Sequence, residues 1–114
     1  MKISDVCTLL SANLICGNMD DCKPIEKGYS SDLMSDVLTL DTDNLLLLTG
    51  MCNLQTIRTA EVADIRYIVF VRNKRATDEM LTLAREHGIC ILESPFTLFK
   101  ASGLLFQAGL KPVY

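Results

Sequence analysis

Excess positive charge is absent from this sequence. Eleven lysines and arginines stand against 14 acidic residues, a formal charge of −3. A weak acidic balance argues against a non-specific grip on phosphate backbones, which needs a basic face to release counterions, so no nucleic acid partner is expected. Long apolar runs are missing too. The longest aliphatic stretch, Leu45 to Leu48, falls far short of the roughly 20 residues that cross a bilayer, so no membrane span is expected. Histidine is reduced to His87, and with no second histidine and no serine in an elbow motif a hydrolytic triad has no parts. His87, just before Gly88, reads as a cation near a helix C-terminus. The cysteines, Cys7, Cys16, Cys22, Cys52 and Cys90, are odd in number and scattered. At such spacings they read as reduced thiols, not as disulfides, a zinc site or cluster ligands. No secretory segment opens the chain, Met1-Lys2-Ile3 being followed at once by Ser4 and Asp5, so a reducing cytoplasm is the expected compartment. No cofactor and no metal are expected.

Apolar residues are what the chain does have, at 49% of 114 residues with 22% charged. Such a chain is expected to fold as one domain, residues 1–114, removing roughly two-thirds of its unfolded surface from water. Ile3, Val6, Cys7 and Leu10 form a helical stripe with Ser4 and Asp5 placed to cap its start, and Asn13 to Gly17 reads as a short strand. Gly17 to Lys27 has turn composition, with Asp20, Asp21 and Pro24, and reads as a loop with a brief extended piece near Ile25. Gly28 then reads as a turn glycine ahead of a helix from Ser31 to about Leu40, with Leu33, Val37 and Leu40 on one face.

The second half repeats a strand–helix pattern three times. Leu45 to Thr49, Tyr67 to Val71 and Ile89 to Leu92 are compact apolar runs, each followed by a segment of helical period. Asn53 caps the first helix, with Leu54, Ile57 and Ala60 inward; Thr77 or Asp78 opens the second, with Met80, Leu83 and Ala84. Ser94-Pro95 supplies a cap and a first-turn proline for the third, and Phe96, Phe99, Gly103 and Phe106 read as its buried stripe. Strands apolar throughout and separated by single helices call for right-handed parallel crossovers with helices on both faces. The expected fold is a three-layer α/β/α sandwich with a small, mostly parallel sheet.

In such sheets ligands bind beyond the carboxyl ends of the strands. That rim is built here from Thr49, Gly50 and Asn53, from Arg72, Asn73, Lys74 and Arg75, and from Glu93 and Ser94. Arg72, Lys74 and Arg75 fall within four positions of a strand-to-helix turn, where a phosphate or carboxylate would be held. The alternative is a solvated polar loop whose cations are neutralised by Asp78 and Glu79. Asp32 and Asp36, four apart, repel a phosphate and suggest a cation-facing or partner-facing edge, or a plain solvated helix face.

An enzyme-type pattern competes with these. Cys52 to Arg58 (CNLQTIR) has the cysteine, five-residue gap and arginine of phosphatase-like loops, between a strand and a helix. Such a loop wraps its backbone around the anion with the help of glycines, and residues 53 to 57 contain none. A cysteine-dependent phosphatase or thiol-redox protein using Cys52 and Arg58 is the alternative function.

Taken together, GYSSDLMSDVL (from Gly28), LLLLTG (from Leu45), YIVFVRN (from Tyr67) and ILESPFTLFKASGLLFQAGL (from Ile91) resemble the DRTGG domain family over nearly the whole chain. The family is similar to the middle domain of some phosphotransacetylases and to the N-terminal domain of the kinase acting on the histidine-containing phosphocarrier protein. It also occurs beside CBS domains in some pyrophosphatases, and stand-alone copies accompany iron-hydrogenase clusters in anaerobes. The motif carried over is Gly28, Ser31, Asp32, Ser35 and Asp36; the motif that names the family has only Val71 to Arg75 as its counterpart, without a glycine pair. The resemblance implies a non-catalytic regulatory or assembly module in a bacterial cytoplasm, which dimerises or senses an anionic small molecule such as a nucleotide. A hydrogenase or kinase component is the implied protein partner. The high apolar content independently suggests surface left over for a homodimer contact.

Overall fold

Apolar runs separated by helical periods resolve, in the computed structural model of residues 1–114, into one sheet between two helix layers. In chain order the elements are α1 (Ile3–Leu10), β1 (Asn13–Cys16), a 3-10 turn (Met19–Asp21), β2 (Lys27–Ser30), α2 (Met34–Val37) and β3 (Leu45–Thr49). There follow α3 (Leu54–Val62), β4 (Tyr67–Phe70), α4 (Asp78–Glu86), β5 (Cys90–Glu93), α5 (Leu98–Gln107) and β6 (Lys111–Pro112). The sheet runs β1-β5-β4-β3-β2-β6. β2, β3, β4, β5 and β6 pair in parallel, and β1 lies antiparallel to β5 with an irregularity between Leu14 and Cys16. The expected mostly parallel α/β/α sandwich is the fold.

The central strands can be apolar throughout because each face has its own cover. Leu46, Leu48, Val69 and Leu92 pack with Ile3, Val6 and Leu10 of α1 and with Ala101 and Leu105 of α5. Their alternating neighbours Leu45, Leu47, Ile68, Phe70 and Ile91 meet Val37 of α2, Ile57 and Ala60 of α3, and Met80 and Ala84 of α4. Period-two alternation thus survives inside each run, with both sets buried. Helix entries are fixed by side-chain caps. Asn53 accepts from the Thr56 amide at 3.0 Å and Thr77 from the Met80 amide at 3.2 Å. Gly88 takes a φ of +66°, the left-handed residue expected after α4.

Three local readings are corrected. Lys27 to Ser30 is a strand, not a loop and turn glycine, paired from Lys27↔Leu45 to Ser30↔Leu48. Gly28 belongs there because a Cβ would stand 2.8 Å from Leu110 Cδ2. The helix expected from Ser31 to Leu40 shrinks to the single turn Met34–Val37. Its residues lack a continuous apolar stripe, since Leu33 and Leu38 remain exposed and only Val37 is fully buried.

The third correction concerns α5. Its cap is Thr97, which accepts from the Lys100 amide at 3.2 Å, not Ser94. The buried residues are Ala101 and Leu105, while Phe99 is 88% exposed and Phe106 67%. Two rows at helical spacing compete for the sheet, and the one holding Ala101 wins because a small residue lets the helix approach the Leu46 and Leu48 layer closely. Leu105→Ala is therefore expected to cost about 2–5 kcal/mol, whereas Phe99→Ala should stay within about 0.5 kcal/mol. Urea unfolding of both variants by circular dichroism checks the inversion; equal losses would contradict it.

Candidate functional site

Strands β2 to β5 end together, and the residues named for their carboxyl rim do assemble there, but chiefly with one another. Asp32, two residues past β2, turns inward instead of standing in a helix with Asp36. Its Oδ1 accepts from the Gly50 amide at 2.6 Å and from Thr49 Oγ1 at 3.1 Å. Its Oδ2 lies 3.8 Å from the Arg72 guanidinium, which also donates to the Gly50 carbonyl at 3.5 Å. The guanidinium rests against Gly50, so any Cβ there would overlap it. Glycine at position 50 thus leaves room for the guanidinium, which a side chain there would displace from the clamp. An aspartate from one strand exit, a glycine from the next and an arginine from a third are tied into a single clamp.

The turn after β4 is equally committed. Arg72 and Asn73 both take φ of +59°, a conformation that favours glycine although neither is one. The twist lets the Arg72 amide donate to the Phe96 carbonyl at 2.7 Å and the Asn73 amide to the Ser94 carbonyl at 3.0 Å. Ser94 is buried, donating to the Leu10 carbonyl at 2.7 Å and accepting from the Phe96 amide at 3.2 Å. Glu93, 8% exposed, accepts from the Ala76 amide at 2.7 Å and pairs with Arg75 at 3.5 Å. Asp78 and Glu79, expected to neutralise the cluster, make no ion pair with it; Asp32 and Glu93 do. Lys74 has no carboxylate partner, and the Arg75 side chain remains 71% exposed. These two are the rim's available cations.

The rest of the serine–aspartate motif divides by direction. Ser31 Oγ accepts from the Leu33 amide at 3.0 Å, closing a turn that aims Asp32 inward. Ser35 and Asp36 face solvent, and Gly28 lies within β2. His87 contacts Glu61 of α3 at 3.4 Å. No three His, Cys, Asp or Glu side chains converge as a metal-ligand set.

Cys52 and Arg58 do not form an anion loop. Residues 54 to 57 already belong to α3, Asn53 spends its carbonyl on the helix cap, and Arg58 projects exposed from the second turn. Burial first, and the Glu93 carboxylate next, push the Cys52 thiol up, with Lys74 opposing. The other four thiols are also pushed up by burial, Cys90 to about 12. None is held as a thiolate.

Two concavities lie away from this rim. One, of about 350 Å³, runs between α5 and the β2–β6 edge; the other, of about 600 Å³, opens at the amino ends of the strands near Leu45, Tyr67 and Cys90. Of the rim, motif and thiol-site residues named from sequence, only Gly28 borders either one. The Asp32–Gly50–Arg72 clamp escaped the sequence reading because its members lie up to 40 positions apart (72 − 32). No local signal marked it, since Asp32 follows the polar strand β2 by two positions and Gly50 has no side chain to read.

No model of a known protein family matches the sequence, and no curated protein does. Among solved structures, a likeness is found to the CBS and DRTGG domains of the regulatory region of Clostridium perfringens pyrophosphatase, complexed with the activator diadenosine tetraphosphate. The TM-score is 0.78 with 17% identity, over 98% of this chain and 48% of that one. This chain thus spans about half the length of that regulatory chain. At the level of the fold, it is a DRTGG-like α/β sandwich.

Proposed function

We propose that this chain is a non-catalytic regulatory or assembly module that senses an anionic small molecule, a nucleotide being the favoured class. The observation that carries the reading is the rim. Arg72 is held by Asp32 and Arg75 is oriented by Glu93, while Lys74 and the outer face of Arg75 stay available at a strand-to-helix turn. Cations prepositioned by carboxylate acceptors suit recognition of a phosphate without any group placed to cleave it. The likeness in fold to a regulatory region complexed with a nucleotide activator supports the same class of ligand. Thr49, Gly50, Asn53 and Ser94 serve in this reading as the scaffold of the rim, since their polar groups are spent internally, and Asn73 joins them through its backbone amide. A bacterial cytoplasmic setting beside a hydrogenase or kinase component follows from the sequence resemblance. So does residues 1–114 acting as one unit. No helix is long and apolar enough to cross a membrane.

Thermal unfolding with adenine nucleotides tests the ligand. Tenfold excess over Kd should stabilise the fold by about 1.4 kcal/mol, a rise of several degrees. Lys74→Gln with Arg75→Gln should abolish that rise while lowering the unliganded midpoint only slightly, because both side chains are exposed and Glu93 keeps the bond from the Ala76 amide. A flat response across mono-, di- and polyphosphates would reject the reading.

Asp32→Asn should act differently, destabilising the free protein by about 1–3 kcal/mol through weakened bonds to Gly50 and Thr49, which urea unfolding measures.

For the thiol-enzyme alternative, the expected outcome is no turnover of an aryl phosphate beyond that of Cys52→Ser. Alkylation of Cys52 should be slow at neutral pH and accelerate only above the ordinary thiol value of 9.0, because burial favours the neutral form. Rapid labelling at pH 7 would favour the enzyme.

A further inference from the structure

The outward side of α5 is apolar where a solvent-facing side is normally polar. Phe99 and Phe106 are 88% and 67% exposed, and Gly103 stands between them, four residues after one and three before the other. At that spacing the three share one helix face. Glycine weakens a helix interior relative to alanine. A Cβ on Gly103 would nonetheless meet nothing within 4 Å, so no contact inside the chain requires glycine there. Glycine at such a place permits close approach by something outside the chain.

This row forms one wall of the 350 Å³ groove, with Leu48, Leu105, Leu110 and Pro112 among its other walls. Its hydroxyls are already satisfied. Ser102 Oγ donates to the Leu98 carbonyl at 2.7 Å, leaving Ser30 Oγ to donate to Ser102 Oγ at 2.6 Å. An apolar occupant fits such a groove better than a polar one.

We propose that this face joins two copies of the chain, about a two-fold axis passing near Gly103, with the phenylalanines of each copy seated in the groove of the other. A second copy suits the surface for three reasons. The face carries both the projecting aromatic rings and the groove that receives them, as a self-complementary contact must. Across a two-fold axis like charges meet their own images, and among the lining residues only Lys111 is charged. The two rings together would bury about 300 Å², a large fraction of the roughly 800 Å² per partner that a stable dimer needs, with the groove walls adding to it. The inference extends the assembly side of the proposed function and does not depend on the nucleotide. A monomeric chain that still binds nucleotide therefore overturns this inference alone.

Sedimentation velocity of the full chain, from low micromolar to near-millimolar concentration, provides the test. The expected result is a monomer–dimer equilibrium whose Kd rises at least about tenfold in Phe99→Asp and in Phe106→Lys. Circular dichroism melts of the dilute monomers should show both variants folded as the wild type is, since neither ring packs inside the chain. Gly103→Ala should raise the melting temperature of the monomer and weaken the dimer, opposite signs that helix propensity alone does not produce. A wild type monomeric throughout, a dimer indifferent to both phenylalanine changes, or a groove that takes up a small molecule or an unrelated protein while the chain stays monomeric would each overturn the proposal.

Discussion

Burial of β3 on both faces is the constraint from which the rest of this structure follows. Leu45 to Thr49 are all buried, with successive side chains handed to opposite helix layers. At roughly 25 cal/mol per Å² such a strand contributes strongly to folding only when both layers are in place. Its backbone must then be satisfied on both sides, by β2 and by β4. Parallel pairing forces each return through a crossover, and every crossover delivers a helix to one layer or the other. Position in the sheet thus dictates which helices lie where. It also brings the exits after β2, β3, β4 and β5 to one rim.

At that rim the chain faces an electrostatic problem common to such sheets. Strand exits and helix starts gather unpaired amides, and here they gather arginines as well. Asp32 and Glu93 answer both demands, each accepting from a backbone amide and each holding a guanidinium. The result is a positioned rim with two cations oriented and one uncommitted. Catalysis asks for an activated group, and burial acts against that at every thiol. Recognition asks only for preorganised charge.

Much of this was legible from residue order where local physics and tertiary structure agree. Leu45 to Thr49, Tyr67 to Val71 and Ile89 to Leu92 announce buried parallel strands because cover on both faces is what runs without polar alternation require. Asn53 and Thr77 announce helix starts because their side chains bond amides only a few residues away. β2 was not legible. KGYS has a glycine, a lysine and a serine in four residues, and it is a strand because Leu45 to Leu48 supply its partner and Leu110 packs over its glycine. The clamp on Gly50 was hidden for the same reason, its three members meeting only once the strands are side by side.

Composition and order determined the class of fold, the parallel core, the helix boundaries set by local caps and the gathering of charge at the carboxyl rim. These depend on periodicity and on bonds between near neighbours in the chain. Tertiary structure alone decided that Asp32 turns in to Gly50 and Arg72, and that α5 lays Ala101 and Leu105 on the sheet while Phe99 and Phe106 face out. Both rows of α5 are apolar at helical spacing. The choice between them rests on how closely a helix can approach a sheet already filled by leucines, a matter of packed volume that no local pattern encodes.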